Sequence, residues 1–248
     1  MDKQDTIQNV FQSDPIIESM FKAGVHYGYS RSRRHPSTSS YIFGRKNRVE
    51  IFDLEKTKSG LQAAKQFVAK VAAAGGQIIL ASSKVEAAEA IIQNAKALNL
   101  PYVAGRWIGG TFTNFPVIRS RVERMKTLIK ERDGGELAKY TKKERLLFDR
   151  EIAKLERFFA GLTLMEELPQ AIFLVDPKQE ATAVSEAKKK KIPIVALANS
   201  DCDISAIDYP ILGNDASRAS ITFFVNEIGQ AYREGKARQV EVKDNIEH

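Results

Sequence analysis

Apolar residues along this chain recur in two rhythms. Short unbroken runs at residues 78–81, 172–175 and 194–198 read as buried strands. Longer stretches between them place Leu61, Ala64, Phe67, Val68 and Val71 close to a 3.6-residue period, which reads as a helix. Asp14 and Pro15 suit the cap and first turn of a short helix through Ile16, Ile17, Met20 and Phe21. Val49, Ile51 and Phe52 read as a short strand, and Thr57 as the start of the helix that Gly75 and Gly76 stop. Ser82 and Ser83 are placed to cap a helix over residues 85–98, and Tyr102 and Val103 form another short strand. In the second half Asp176 sits at the carboxyl end of its strand, and residues 178–190 read as a helix. Residues 209–212 are extended, and Asp215 caps a last helix from Ala216 to Arg233 that Gly235 ends. Strands alternating with helices imply parallel βαβ units. The predicted fold class is α/β, an open parallel sheet of about five strands, by the usual size of such sheets.

Residues 117–160 follow another pattern. They are highly charged and carry thin apolar stripes. Ile118, Val122, Met125 and Ile129 make one stripe. Leu147, Ile152, Leu155 and Phe158 or Phe159 make the other, and Gly134 and Gly135 stand between. The spacing predicts an inserted antiparallel helical hairpin of coiled-coil type, each helix mainly burying its partner. The organisation expected is therefore a flexible tail (1–14), a first α/β part (15–116), the projecting hairpin (117–160), a second α/β part (161–235) and a flexible tail (236–248).

Charge changes the picture most between Ser19 and Val49, where no acidic residue occurs. Lys22, Arg31, Arg33, Arg34, Arg45, Lys46 and Arg48 fall there, among Tyr27, Tyr29, Tyr41, Phe43 and three glycines. This stretch reads as a glycine-punctuated loop. One sign of charge repels itself unless a polyanion neutralises it, and a phosphate backbone is the candidate. The chain as a whole has a net charge of +7, which favours an anionic partner. Tyr27, Tyr41 and Phe43 are expected to fasten the loop to the domain rather than read bases. Outside the stretch, Arg106 and Trp107 lie in GRWIGGTFTN, whose glycines would let backbone approach a phosphate. Trp107 suits either stacking or the core. The hairpin cations, Arg119 among them, suit either a phosphate-facing side or a solvated face, and Lys188–Lys191 suits a helix C-terminus. No apolar run approaches the ~20 residues needed to span a bilayer. The polar N-terminus and the single cysteine, Cys202, fit a cytosolic protein.

Chemistry is hard to find in the sequence. The G-x-G-x-x-G, G-x-x-x-x-G-K-[ST] and G-x-S-x-G patterns are absent. Asp176, Asp201, Asp203, Asp208 and Asp215 cluster at strand ends and loops, where caps and turns explain them as well as Mg²⁺ or acid–base work does. A nucleotide- or sugar-phosphate-binding enzyme with an Asp176/Asp208 site is the alternative reading. His26 has no identifiable nucleophile or carboxylate partner. Cys202, between two aspartates, is a poor thiolate and reads as a small turn residue. Three histidines leave little material for a metal site. No cofactor, metal or catalytic residue is expected.

Four segments resemble the family of the second protein of the bacterial small ribosomal subunit. They are AGVHYGYSRSRRHPSTSSYIFGRKNRVEIFDLEKT, GRWIGGTFTNF, PQAIFLVDPKQEATAVSEAKKKKIPIVALANSDCD and DYPILGNDASRASITFFVNEI. They occur in family order and spacing between Ile16 and Gly235. The chain departs from the family where Tyr29 replaces a second histidine, so no metal role is carried over, and where RRHPS replaces an RWNPK-like sequence. The resemblance implies an α/β domain with a helical hairpin, no catalytic activity, and a place on small-subunit ribosomal RNA at the head–body junction on the solvent side. It also implies neighbouring small-subunit proteins as partners, including the large first protein where present, and a ribosomal, cytoplasmic location without membrane contact. The phosphate-contacting residues expected are Arg31, Arg33, Arg34, Arg45, Lys46 and Arg48, with Arg106 and Arg119 as a second surface.

Overall fold

The structure, a computed structural model, describes residues 14–244, with side chains through 239. Five strands form one sheet in the order β5-β4-β6-β7-β8, every neighbouring pair parallel. They are β4 (Ile78–Ser82), β5 (Tyr102–Ala104), β6 (Ala171–Val175), β7 (Ile194–Ala198) and β8 (Tyr209–Leu212). The central strands β4, β6 and β7 are buried at every position. Their unbroken apolar runs have a simple cause, since helices cover both faces. Ile78, Leu80, Phe173, Val175, Val195 and Leu197 face one apolar cluster with α2 (Leu54–Ala73), α3 (Val85–Leu98) and α7 (Arg218–Asp244). Ile79, Ala81, Ile172, Leu174, Ile194 and Ala196 face the other, with α4 (Phe115–Asp133), α5 (Lys142–Phe159) and α6 (Ala181–Lys189). Alternate residues go to opposite faces, as the pleat requires.

The acid-free stretch is more ordered than a loop. After α1 (Pro15–Lys22), β1 (Tyr27–Ser30), β2 (Ile42–Lys46) and β3 (Val49–Phe52) make a separate antiparallel sheet in the order β1-β3-β2. Two 3₁₀ turns, Arg31–Arg33 and Pro36–Tyr41, connect β1 to β2. β3 therefore belongs to this small sheet and does not join the parallel one. The pairing of β1 with β3 spans the intervening turns, so no local period announces it.

Several helix ends differ from expectation, each for a local reason. Asp53 caps α2 by accepting from the Glu55 and Lys56 N–H groups. Thr57 lies inside that helix and donates its hydroxyl to Leu212 O at 2.7 Å. At α3 the Ser82 hydroxyl accepts from Lys84 N, while Ser83 N is bound by Glu180. α6 begins at Ala181 rather than residue 178, after Asp176 turns the chain with φ +63°. α7 begins at Arg218, and Asn214 rather than Asp215 accepts from the Ala216 and Ser217 N–H groups. Gly235 does not end α7, which runs on to Asp244. Any Cβ at Gly235 would collide with the Ala69 carbonyl of α2. The glycine serves the close crossing of two helices. The expected C-terminal tail is thus helical as far as Asp244, and residues 1–13 and 245–248 lie outside the described residues.

The insertion consists of α4 and α5, which pack on each other. Gly134, Gly135 at φ +75° and a short 3₁₀ turn join them. Thr141 and Glu144 close a capping box at the start of α5. The buried stripe is Ile118, Val122, Met125 and Leu128 with Ile152, Leu155 and Phe159. Leu128 takes the fully buried place expected of Ile129, and Leu147 is 54 % exposed. The stripe is continuous with the apolar cluster on the sheet face.

Candidate nucleic-acid interface

The small sheet is fixed to the carboxyl end of the parallel sheet. Tyr29 N donates to Ser200 Oγ at 3.0 Å. His35 N and Thr38 Oγ1 both donate to Ser200 O at 2.8 Å. Asn214 N donates to Val25 O at 3.0 Å. Ser200 follows β7 and Asn214 follows β8, so these bonds hold the basic segment over the strand ends where open α/β sheets bind ligands. His26 is buried, stacked at 4.5 Å on Phe21 and tilted at 4.0 Å against Tyr27. Burial lowers its pKa, so it helps seat the strand as a neutral ring.

The expected phosphate-binding residues fall into two groups. Arg31, Arg45, Lys46, Arg48 and Arg106 are exposed. Arg33 is exposed too; its guanidinium lies 4.3 Å over the Tyr29 ring and 3.9 Å from Asp201. Arg34 is half-buried and donates to the buried Glu50 at 3.0 Å. Arg119 donates to Met165 O at 3.1 Å and lies 3.3 Å from Glu123, tying α4 to the segment after α5. Sequence gives these two arginines the same value as the rest because their hydrogen-bond acceptors, Glu50 and Met165 O, lie 16 and 46 residues away.

Arg45, Lys46 and Arg48 stand at the tip of the β2–β3 hairpin. Lys46 pairs with Val49, leaving a two-residue turn of Asn47 and Arg48 with φ of 49° and 67°. Between Ile42 and Gly44 the register slips, so Phe43 is a bulged residue. Bulges re-aim side chains, and Phe43 is 67 % exposed. Tyr27 is half exposed. Phe43 does not fasten the segment as expected; Tyr27 packs one side on His26, and Tyr41 packs beside Phe52, Cys202 and Leu212.

The GRWIGGTFTN segment proves to be held by protein. The Glu186 carboxylate accepts from Gly110 N at 2.6 Å, Phe112 N at 2.8 Å and Thr113 N at 3.1 Å. Burial raises its pKa, but these donors outweigh burial and hold it below the ordinary value. Three of the segment's backbone amides are occupied by Glu186, and Gly105 N donates to Ser82 O at 2.8 Å. Trp107 is buried, edge-on to Phe112 at 5.0 Å, which decides between its two readings in favour of the core.

The ligand crevice of the sheet is filled from within. The strand order reverses between β4 and β6, where an open sheet has its switch point. Lys84 occupies it, 2.6 Å from Asp215 and 2.8 Å from Asp176. Burial alone would lower the Lys84 pKa, but the two carboxylates hold it well above its usual value. Asn199 donates to the other Asp215 oxygen at 2.7 Å. The proposed Asp176/Asp208 pair does not form. Asp176 follows the carboxyl end of β6, while Asp208 precedes β8 and accepts from Ile194 N at 2.8 Å, at the opposite end of the parallel sheet. Among the described residues no group of three His, Cys, Asp or Glu side chains is arranged to hold a metal. Cys202 is buried, and burial with nearby Asp176 pushes its thiol up to about 12.

These features define a basic α/β protein with an occupied switch point and a cationic accessory sheet laid over its strand ends. A sequence profile of the family described as Ribosomal protein S2 matches residues 20–235. A Rhodopirellula baltica protein named small ribosomal subunit protein uS2 is 39 % identical over 95 % of this chain and 91 % of its own. Proteins of the same name from Chloroflexus aggregans and Lawsonia intracellularis are each 40 % identical, covering 90 % and 93 % of this chain and 94 % and 80 % of theirs. The chain belongs to the ribosomal protein S2 family. It is a structural protein of the small ribosomal subunit and not an enzyme. No described helix is long and apolar enough to cross a membrane.

Proposed function

We propose that this chain binds small-subunit ribosomal RNA through the cations of its accessory sheet. The observation that supports this best is the exposure of Arg31, Arg33, Arg45, Lys46 and Arg48 on one small sheet and its connecting turns, bonded to the domain at Ser200 and Asn214. A set of positive groups on a fixed scaffold meets a phosphate backbone without a large ordering cost. Arg106 extends the surface; Arg34 and Arg119, each tied to protein partners, support the scaffold. In this reading the protein works at the head–body junction on the solvent side, in the cytoplasm, and supports docking of neighbouring ribosomal proteins. The exposed aromatic rings of Tyr27 and Phe43 beside the cations suit a protein neighbour, the large first protein of the subunit where present, because exposed apolar patches mark such contacts. In this reading the exposed, charged side of the α4–α5 pair is a further contact element.

The test is the salt dependence of binding to purified small-subunit RNA. Counterion release predicts a log–log slope of roughly −0.7 to −0.9 per phosphate contact. Replacing Arg31, Arg45 and Lys46 by alanine should flatten that slope by about two to three contacts' worth. Binding no tighter than to an unrelated polyanion, with no change in the variant, overturns the reading.

A further inference from the structure

The β2–β3 turn has a backbone that its sequence does not favour. Two successive residues at positive φ, 49° and 67°, make a turn of the type I′ class. Asparagine suits the first place and glycine the second. Arg48 holds the second, where an L side chain crowds its own carbonyl. Its side chain is exposed and makes no hydrogen bond or ion pair among the described residues. Among the described residues no side-chain bond offsets the strained backbone. A strained residue without internal compensation points to a use outside the molecule.

We infer that Arg48 is a dedicated gripping residue, kept in a glycine's place for its guanidinium, and that it takes the sugar-phosphate backbone of RNA without regard to base sequence. The inference rests on the RNA-binding reading above and sharpens it to one residue and one part of the ligand. Residues 45–48 carry three cations and no aromatic ring. They offer a planar fork and point charges to phosphate oxygens and no aromatic ring for a base to stack on. Arg45 pairs with Glu50 and Lys46 with Val49 in the ladder. The turn is therefore presented on paired strands, so little order is lost when it engages.

The experiment compares Arg48→Gly and Arg48→Lys with the parent chain in two measurements. One is thermal unfolding. The other is binding across a salt series to purified small-subunit RNA and to a paired RNA of equal length and scrambled sequence. Arg48→Gly should melt a few degrees higher, because glycine relieves the turn, yet bind both RNAs about three- to tenfold more weakly, with a slope reduced by about one contact. Arg48→Lys should keep the slope. An unchanged affinity and slope in Arg48→Gly overturns the inference, as does a lower melting temperature or a loss confined to the native sequence. The Arg31, Arg45 and Lys46 triple variant separates the two ideas. If it loses RNA binding while Arg48→Gly does not, the inference fails alone. If neither variant loses binding, the RNA reading fails with it.

Discussion

Lys84 and Asp215, 131 residues apart in the chain, meet at 2.6 Å beneath the carboxyl ends of the parallel strands. The Asp215 side chain is fully buried and the Lys84 side chain nearly so. Their pairing fills a crevice that sheets of this kind otherwise leave to a ligand. It also lets the accessory sheet lie over the same strand ends, through the neighbouring Asn199–Ser200 turn.

Replacing Lys84 by methionine should destabilise the chain by about 3–5 kcal/mol, because it strands a buried carboxylate. Lys84→Met combined with Asp215→Asn should recover a large part of that loss. Urea midpoints report both, and a Lys84→Met chain as stable as the parent removes the pair from the account.

Glu186 makes stability depend on acid. Its folded pKa lies below the ordinary value, so its contribution is complete above pH ~4.5 and is lost as pH falls through the folded pKa. Glu186→Gln should flatten this part of the pH–stability curve and cost roughly 1–3 kcal/mol at neutral pH. Asp14, which is half-buried beside Lys58, and the exposed Glu144 and Asp203 also have lowered values. The difference between parent and variant isolates Glu186 from them, and parallel curves for the two would refute its role.

The two kinds of arginine should separate cleanly. Arg34→Ala leaves the buried Glu50 without its partner at 3.0 Å and should lower stability by about 1–3 kcal/mol. Arg31→Ala should leave stability within about 0.5 kcal/mol and weaken only RNA binding. Denaturation and RNA titration of both variants decide this. Equal loss of stability would mean that Arg31 too is structural.

Gly235 and Gly44 offer a contrast. A Cβ at Gly235 meets the Ala69 backbone, while one at Gly44 meets nothing within 4 Å. Gly235→Ala should cost about 1–3 kcal/mol by forcing α2 and α7 apart, and Gly44→Ala much less. If Gly235→Ala proved neutral in thermal unfolding, the tight helix crossing would be wrong.

Cys202, with its thiol pushed up to about 12 and its side chain buried, should stay unreactive toward a disulfide reagent at neutral pH until the chain unfolds. Rapid modification of the native protein would contradict its place in the core.

The parallel sheet was legible because its signal is local. The runs at residues 78–81, 172–175 and 194–198 are apolar at every position since both faces are covered, and their length and flanking turns separate them from helices. The excess of positive charge was equally plain, and so was the helical period, although Leu128 takes the buried place expected of Ile129 and Leu147 is exposed. The accessory sheet was not, because β1 and β3 find each other across two 3₁₀ turns and Arg-rich sequence looks like loop. The roles of Arg34, Arg119, Glu186 and Asp215 were hidden for the same reason. Each depends on a partner 16 to 131 residues away.

By itself, then, the sequence determined the alternation of strands and helices, the cationic surplus of the N-terminal stretch and, through its ordered motifs, the family. Hydrophobic period and charge act between near neighbours, so they can be read along the line. Only the tertiary structure decided which cations remain exposed, what fills the switch point, why glycine stands at 235, and that residue 48 sits at a positive φ. Those depend on groups brought together from distant parts of the chain, or on a backbone angle that no residue type announces.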